Sequence, residues 1–183
     1  MLERDPIARR LKENAVEGCP EAAGGFIYET RGHWDFGADG TGDILNPANL
    51  RAIRQRTLSE IGRVDLVTAD GSIDCSSDPA HQERDVAPLL FAETVCALGV
   101  LAPGGSFIIK IFTFLTPATL VTLHLLSASF ERVSLAKPPS SKQGNSEVYA
   151  VCSGFIGPAG VVGGEADEAW ERLVASVEQE GGG

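Results

Sequence analysis

No long uninterrupted apolar run occurs in this sequence. The most apolar stretch, Val86 to Leu115, is broken by Pro88, Glu93, Pro103, Gly104, Gly105 and Lys110. A bilayer-spanning helix needs about 20 consecutive apolar residues, so none fits there and no membrane role is expected. A secretory leader is missing too, because MLERDPIARRLKEN is charged from residue 3 onward. The four cysteines (Cys19, Cys75, Cys96, Cys152) form no CxxC pair. That spacing argues against a zinc site or a disulfide framework and for reduced thiols of an intracellular, not secreted, protein. His33, His81 and His124 lack metal-ligand spacing, so no metal is expected. The Gly-rich turn at 37–42 has neither a GxGxxG pattern nor a Walker lysine, which leaves only a weak claim to bind nucleotide phosphate. Internal repeats are absent. Lysine is scarce in the first hundred residues: Lys12 is the only one before Lys110.

What is present suffices for one buried core. The chain has 183 residues, 43% of them hydrophobic, and a second domain of comparable size is not expected. Its net charge of −10 argues against a generally nucleic-acid-binding surface. The charge is uneven, however. Residues 105–145 carry four basic side chains and one acidic one, whereas residues 146–183 carry one and seven. The basic surplus coincides with the segment around Lys110 and suits a local cationic face for an anionic substrate.

Hydrophobic periodicity and capping residues divide the chain into elements. Residues 5–14 read as a short helix with Pro6 in its first turn, 18–25 as a loop and 26–30 as a short strand. GHWDFGADGTGDILNP (32–47) reads as a turn-forming loop. Asn46-Pro47 is an N-cap followed by proline, opening a helix to about Ile61 with Leu50, Ile53, Leu58 and Ile61 inward. VDLVTAD (64–70) reads as a buried strand ending where Asp70-Gly71-Ser72 must turn. A helix over about 79–101 buries Val86, Leu89, Leu90, Val95 and Leu98. Pro103-Gly104-Gly105 stops it and launches the strand SFIIKIF (106–112). Thr116-Pro117 starts another helix, with Leu120, Leu123 and Leu126 to Phe130 inward. FERVSLA (130–136) and SEVYAVC (146–152) are strands joined by the loop 137–145. The order strand–helix–strand–helix–strand–strand is the second half of a doubly wound α/β sheet, with its last two strands able to form an antiparallel pair. After Gly154 the chain reads as an acidic tail whose Trp170, Leu173 and Val177 belong to a free or weakly docked helix. The expected division is 1–33, an amino-terminal segment; 34–154, the main domain; and 155–183, the tail.

Three charged residues, Asp70, Lys110 and Glu147, fall at or near what are expected to be the carboxyl ends of the three apolar runs. That is the rim where open α/β sheets bind ligands. A lysine between two carboxylates there suits the handling of a hydroxyl proton. Each residue also has a plainer reading. Asp70 suits a strand-end turn, Lys110 a lysine that snorkels from an edge, and Glu147 an exposed strand residue. In the loop 137–145, Lys137, Ser140, Ser141 and Lys142 are candidates for phosphate contacts, although a solvated loop is the readier reading of such sparse charge. Trp34 and Phe36 suit loop anchoring better than stacking on a base.

Three segments taken together, DLVTADGS, LAPGGSFIIKIF and KPPSSKQGNSEVYAVC, resemble the carboxyl-terminal half of FtsJ-type RNA ribose 2′-O-methyltransferases. Within that family the wording is most like the eukaryotic mRNA cap enzymes of the cap-2 type, and FGADGTGDILNPANLRAI resembles a segment shared by the cap enzymes. The match covers roughly residues 34–154. It implies a Rossmann-like S-adenosylmethionine-dependent fold and methyl transfer to a ribose 2′-hydroxyl of capped mRNA. Residue by residue it places Asp70, Lys110 and Glu147 on three members of a Lys-Asp-Lys-Glu tetrad, and Asp43 with Asp70 at the cofactor. Lys137, Ser141 and Lys142 would contact RNA. The family's first tetrad lysine and its Gly-rich loop after the first strand have no counterpart here. The expectation is therefore an amino-terminally truncated chain, with an open hydrophobic sheet edge and a cofactor site completed by an upstream segment or a partner chain. Two alternatives stay open: a catalytically inactive Rossmann-like interaction module, and a 2′-O-methyltransferase of ribosomal or transfer RNA.

Overall fold

The computed structural model describes residues 30–71, 73, 82–139 and 146–180. The expected helix at 5–14, the loop at 18–25, the strand at 26–30 except its last residue, and most of the loops 72–81 and 140–145 lie outside them. Helix α1 is Pro47–Glu60 and strand β1 is Val64–Ala69. Helix α2 is Gln82–Val100 and β2 is Leu101–Ile111. Then come α3 (Pro117–Ser129), β3 (Phe130–Ala136), β4 (Val148–Phe155) and α4 (Ala166–Glu180). No helix among the described residues is long and apolar enough to cross a membrane.

The four strands form one mixed sheet in the order β1-β2-β4-β3. β1 and β2 run parallel, and β4 is antiparallel to both β2 and β3. This is the expected strand–helix–strand–helix–strand–strand order, antiparallel pair included. The β2 strand is longer than expected, because Leu101 already pairs with Val64. The register then slips so that Leu66 faces Ser106, and Pro103-Gly104-Gly105 are absorbed as an irregularity within the strand instead of preceding it.

Burial alternates strictly along β2. Odd positions from Gly105 to Ile111 are buried, while Ser106, Ile108 and Lys110 are half-buried. One face of the sheet is therefore packed and the other open. The packed face supplies Phe107, Ile109, Ala150 and Cys152 to a core shared with Val95 and Leu98 of α2, Leu125 and Leu126 of α3, and Trp170 and Val174 of α4. Strand β1 is the outer strand of the described sheet, and Leu66 is 55% exposed, so the expectation of a fully buried first strand does not hold. Ile61 and Leu120, expected inward, are also exposed. Ile61 lies just beyond the end of α1, and Leu120 falls off the stripe set by Thr119, Thr122, Leu125 and Leu126.

The tail is not loose. Trp170 is 1% exposed, and its indole Nε1–H donates to the Val95 carbonyl at 2.8 Å. The Arg54 guanidinium of α1 lies 4.5 Å above that ring, donates to the Gly99 carbonyl and pairs with Asp167. Arg51 pairs with Glu171 at 2.9 Å. The acidic first turns of α4 thus meet the basic side chains of α1, an interaction hidden from periodicity because its two halves lie more than 110 residues apart.

Candidate active site

The parallel register ends with Ala69 opposite Ile109, so Asp70 leaves β1 beside Lys110. The Lys110 Nζ forms an ion pair with Asp70 Oδ1 and lies 5.3 Å from the centre of the Phe112 ring. The lysine side chain is only 12% exposed, against 66% for the aspartate. An ammonium so desolvated requires a counter-charge and benefits from the electron-rich face of a ring, and it has both.

Glu147 reaches the same mouth by a route opposite to the expected one. It precedes β4, whose antiparallel direction brings the strand's amino end, not its carboxyl end, to the rim. Tyr149 is the direct register partner of Lys110, and opposed residues of an antiparallel pair project on one face. Its hydroxyl donates to Glu147 Oε1 at 2.7 Å. That bond, then burial, then the charges of Asp70 and Glu147 push the Tyr149 phenol up to about 12. Glu147, Tyr149, Lys110 and Asp70 therefore form one electrostatic group. Lys137 follows β3 at this end of the sheet, with its Nζ 3.4 Å from the Glu147 carbonyl. Ser141 and Lys142, the other expected RNA contacts, lie outside the described residues, as does Ser140.

Two carboxylates of α2 complete the surroundings, and sequence reasoning noted Glu93 only as an interruption and Glu83 not at all. Glu93 accepts the Gly71 N–H at 2.7 Å. Burial raises its carboxyl above the usual range, helped by the Asp70 charge, and the Gly71 bond and the Lys110 charge offset only part of that rise. Glu83 accepts from the Thr113 hydroxyl and, at 2.6 Å, from the Thr116 N–H, tying down the loop that follows β2. Burial alone would raise the Glu83 carboxyl, but these hydrogen bonds outweigh it and bring it from 4.5 to about 2. A carboxyl lowered by folding stabilises the protein above its unfolded pKa, and that stability is lost as the pH falls through the folded value. Replacing Glu83 with Gln is expected to flatten the stability-versus-pH curve between about pH 4.5 and 2, as read by denaturant midpoints across that range. An unchanged acid limb would show that Glu83 contributes nothing there.

Asp43 sits apart, in the 34–46 loop. It is exposed, and its Oδ1 accepts from the Leu45 N–H at 2.9 Å. The loop is organised around Asn49, which is fully buried. Its Nδ2 donates to Asp39 Oδ1 at 3.0 Å and to the Asp43 carbonyl at 2.8 Å, and its Oδ1 accepts from the Asp39 N–H. Hydrogen bonds from Thr41, with those of Asn49 and Asn46, hold the Asp39 carboxyl down at about 2. Gly37 adopts φ +75°, and a Cβ there would lie 2.4 Å from the Asn49 Cγ. Trp34 and Phe36 stack on each other at 6.4 Å, and the indole Nε1–H donates to the Thr30 hydroxyl, which is the loop-anchoring role. Asn49→Ala is expected to cost about 1–3 kcal/mol by orphaning buried polar groups, measured by urea unfolding. A loss below about 0.5 kcal/mol would show that the loop stands without it.

A family model described as FtsJ-like methyltransferase matches residues 23–155, and the chain belongs to that family. It is 47% identical over 135 residues to a zebrafish (Danio rerio) protein named cap-specific mRNA (nucleoside-2′-O-)-methyltransferase 2, covering 74% of this chain and 18% of that protein. The Drosophila melanogaster protein of that name is 45% identical over 131 residues, covering 71% and 19%. A Trypanosoma cruzi protein named cap-specific mRNA (nucleoside-2′-O-)-methyltransferase 1 is 41% identical over 126 residues, covering 68% and 34%. The chain thus spans about a fifth of the first two relatives. Among solved structures, a ribosomal RNA methyltransferase from Plasmodium falciparum covers 59% of this chain and 57% of its own, at 21% identity and a TM-score of 0.47, too distant to add to the argument.

Proposed function

We propose that this chain carries the acceptor-side catalytic rim of an S-adenosylmethionine-dependent ribose 2′-O-methyltransferase that acts on capped mRNA, of the cap-2 type. The observation that carries this is the buried Lys110 amine, ion-paired to Asp70 at the mouth of the sheet, with Glu147 delivered beside it. The cofactor supplies, when bound, a methyl group on a cationic sulfonium. Two residues fit it chemically. Asp70 offers negative charge suited to a sulfonium, and Asp43 offers an exposed carboxylate suited to hydroxyl or amine donors. Lys110 would point a donor at the ribose 2′-oxygen and fix which lone pair faces the methyl group, which lowers the barrier chiefly by orientation. Asp70 holds the lysine by its ion pair, and the Glu147–Tyr149 pair stands on the neighbouring strand, where Tyr149 is the register partner of Lys110. Lys137 stands where it could meet a phosphate of the RNA. The working compartment is nuclear or cytoplasmic.

The test is transfer of labelled methyl from S-adenosylmethionine to a short capped RNA, with ribosomal and transfer RNA fragments as competitors. Label in the capped RNA alone supports the reading. Label only in the competitors would replace the substrate, and no label in any RNA together with no calorimetric binding of the cofactor would favour an inert module.

A further inference from the structure

We infer that Glu93 is a positioning residue: from the middle of α2 its carboxylate clamps the Gly71 amide and so fixes Asp70 against Lys110. The inference rests on the function proposed above. Asp70 is two-thirds exposed and has just left its strand, and an ion pair whose carboxylate faces water is screened and loosely held on that side. Such a pair does not by itself hold a carboxylate in one place. The residue after it, however, is tied at 2.7 Å to a half-buried acid.

A second observation is steric. A Cβ on residue 71 would lie 2.4 Å from the Glu93 Oε1 and 3.1 Å from the Leu89 Cδ2. A side chain at residue 71 would therefore push the Glu93 carboxylate off the amide it holds. Glu93 is also neither a helix cap nor an exposed helix-face residue. It lies eleven residues into α2, between buried Ala92 and Thr94. Half-burying an acid there is costly unless it makes a bond, and the bond it makes is to the neighbour of Asp70. The charges of Lys110 and Asp70 both act on its carboxyl, as expected for a group this near the rim.

The experiment compares Glu93→Ala, Glu93→Gln and Gly71→Ala in the full chain, with kcat and KM for methyl transfer to capped RNA. NMR of the Gly71 amide and of the Lys110 side chain is recorded alongside. Glu93→Ala is expected to lower kcat by about 10–100-fold, the scale of a misplacement near 1 Å, with KM for RNA within about twofold. Gln retains an oxygen that can accept the same N–H, so Glu93→Gln should restore most of kcat and keep the Gly71 amide signal and its slow exchange, whereas Gly71→Ala should lose both. Full kcat in Glu93→Ala, Gln no better than Ala, or an unmoved Gly71 amide signal in Glu93→Ala would each overturn the clamp. If the parent chain transfers no methyl, the functional reading fails by itself. The Gly71 and Lys110 signals then still decide whether Glu93 holds this turn.

Discussion

Lys110→Ala lowers methyl transfer to capped RNA by about 10²–10⁴-fold, the range for a positioned proton-handling group, and leaves the fold intact. Both halves of that expectation come from the rim. The ammonium is one side of an ion pair that is buried on the lysine side and open on the aspartate side. Removing the lysine therefore leaves Asp70 in water, where an unpaired carboxylate costs little, and not in a sealed core. Neighbouring core positions Ile109 and Ile111 face the opposite, packed side of β2 and keep their contacts. Lys110→Arg keeps the charge but fills the site with a planar fork that lacks the compact amine, so it should keep the pairing with Asp70 without restoring activity. A Lys110→Ala chain that retained more than a tenth of its activity would take the amine out of the chemistry.

The largest effect on stability belongs to Trp170. Its replacement by Ala is expected to cost about 3–5 kcal/mol, because an indole buried to 1% leaves a cavity and orphans the Val95 carbonyl. Arg54, whose guanidinium lies over the ring, loses that partner too. Since α4 contributes Val174 and Val177 to the same core, its whole buried face should loosen with the tryptophan. Urea unfolding followed by far-ultraviolet circular dichroism measures this. A loss under about 1 kcal/mol would mean that the helix is only weakly docked, as its acidic sequence led one to expect.

That contrast shows what a sequence discloses and why it stops. Elements set by local chemistry were legible. Asn46 and Thr116 cap α1 and α3 as their side chains and following prolines require, and the apolar run around Lys110 became an inner strand. The trio at the rim was legible as well, although Glu147 was expected at the wrong end of its strand, because only sheet topology shows that β4 runs backwards. What stayed hidden depends on pairs distant in sequence. Arg54 meets Trp170, Glu93 meets Gly71, and Glu83 meets Thr113 and Thr116. A lone glutamate in FAETVC looks like a flaw in an apolar helix until the turn it clamps is seen. Tyr149 could have been noticed, since it lies on the same strand face as Glu147, two residues away, and period-two spacing brings such residues together.

The most direct test of a lysine that prepares a sugar oxygen is to remove that oxygen. Labelled methyl transfer from S-adenosylmethionine is measured on two capped RNAs identical except for a 2′-hydroxyl or a 2′-deoxy sugar at the second transcribed nucleotide. The expected result is label in the hydroxyl RNA, none in the deoxy RNA, and none in either with Lys110→Ala. Equal label in the deoxy RNA, or undiminished label without Lys110, would contradict it.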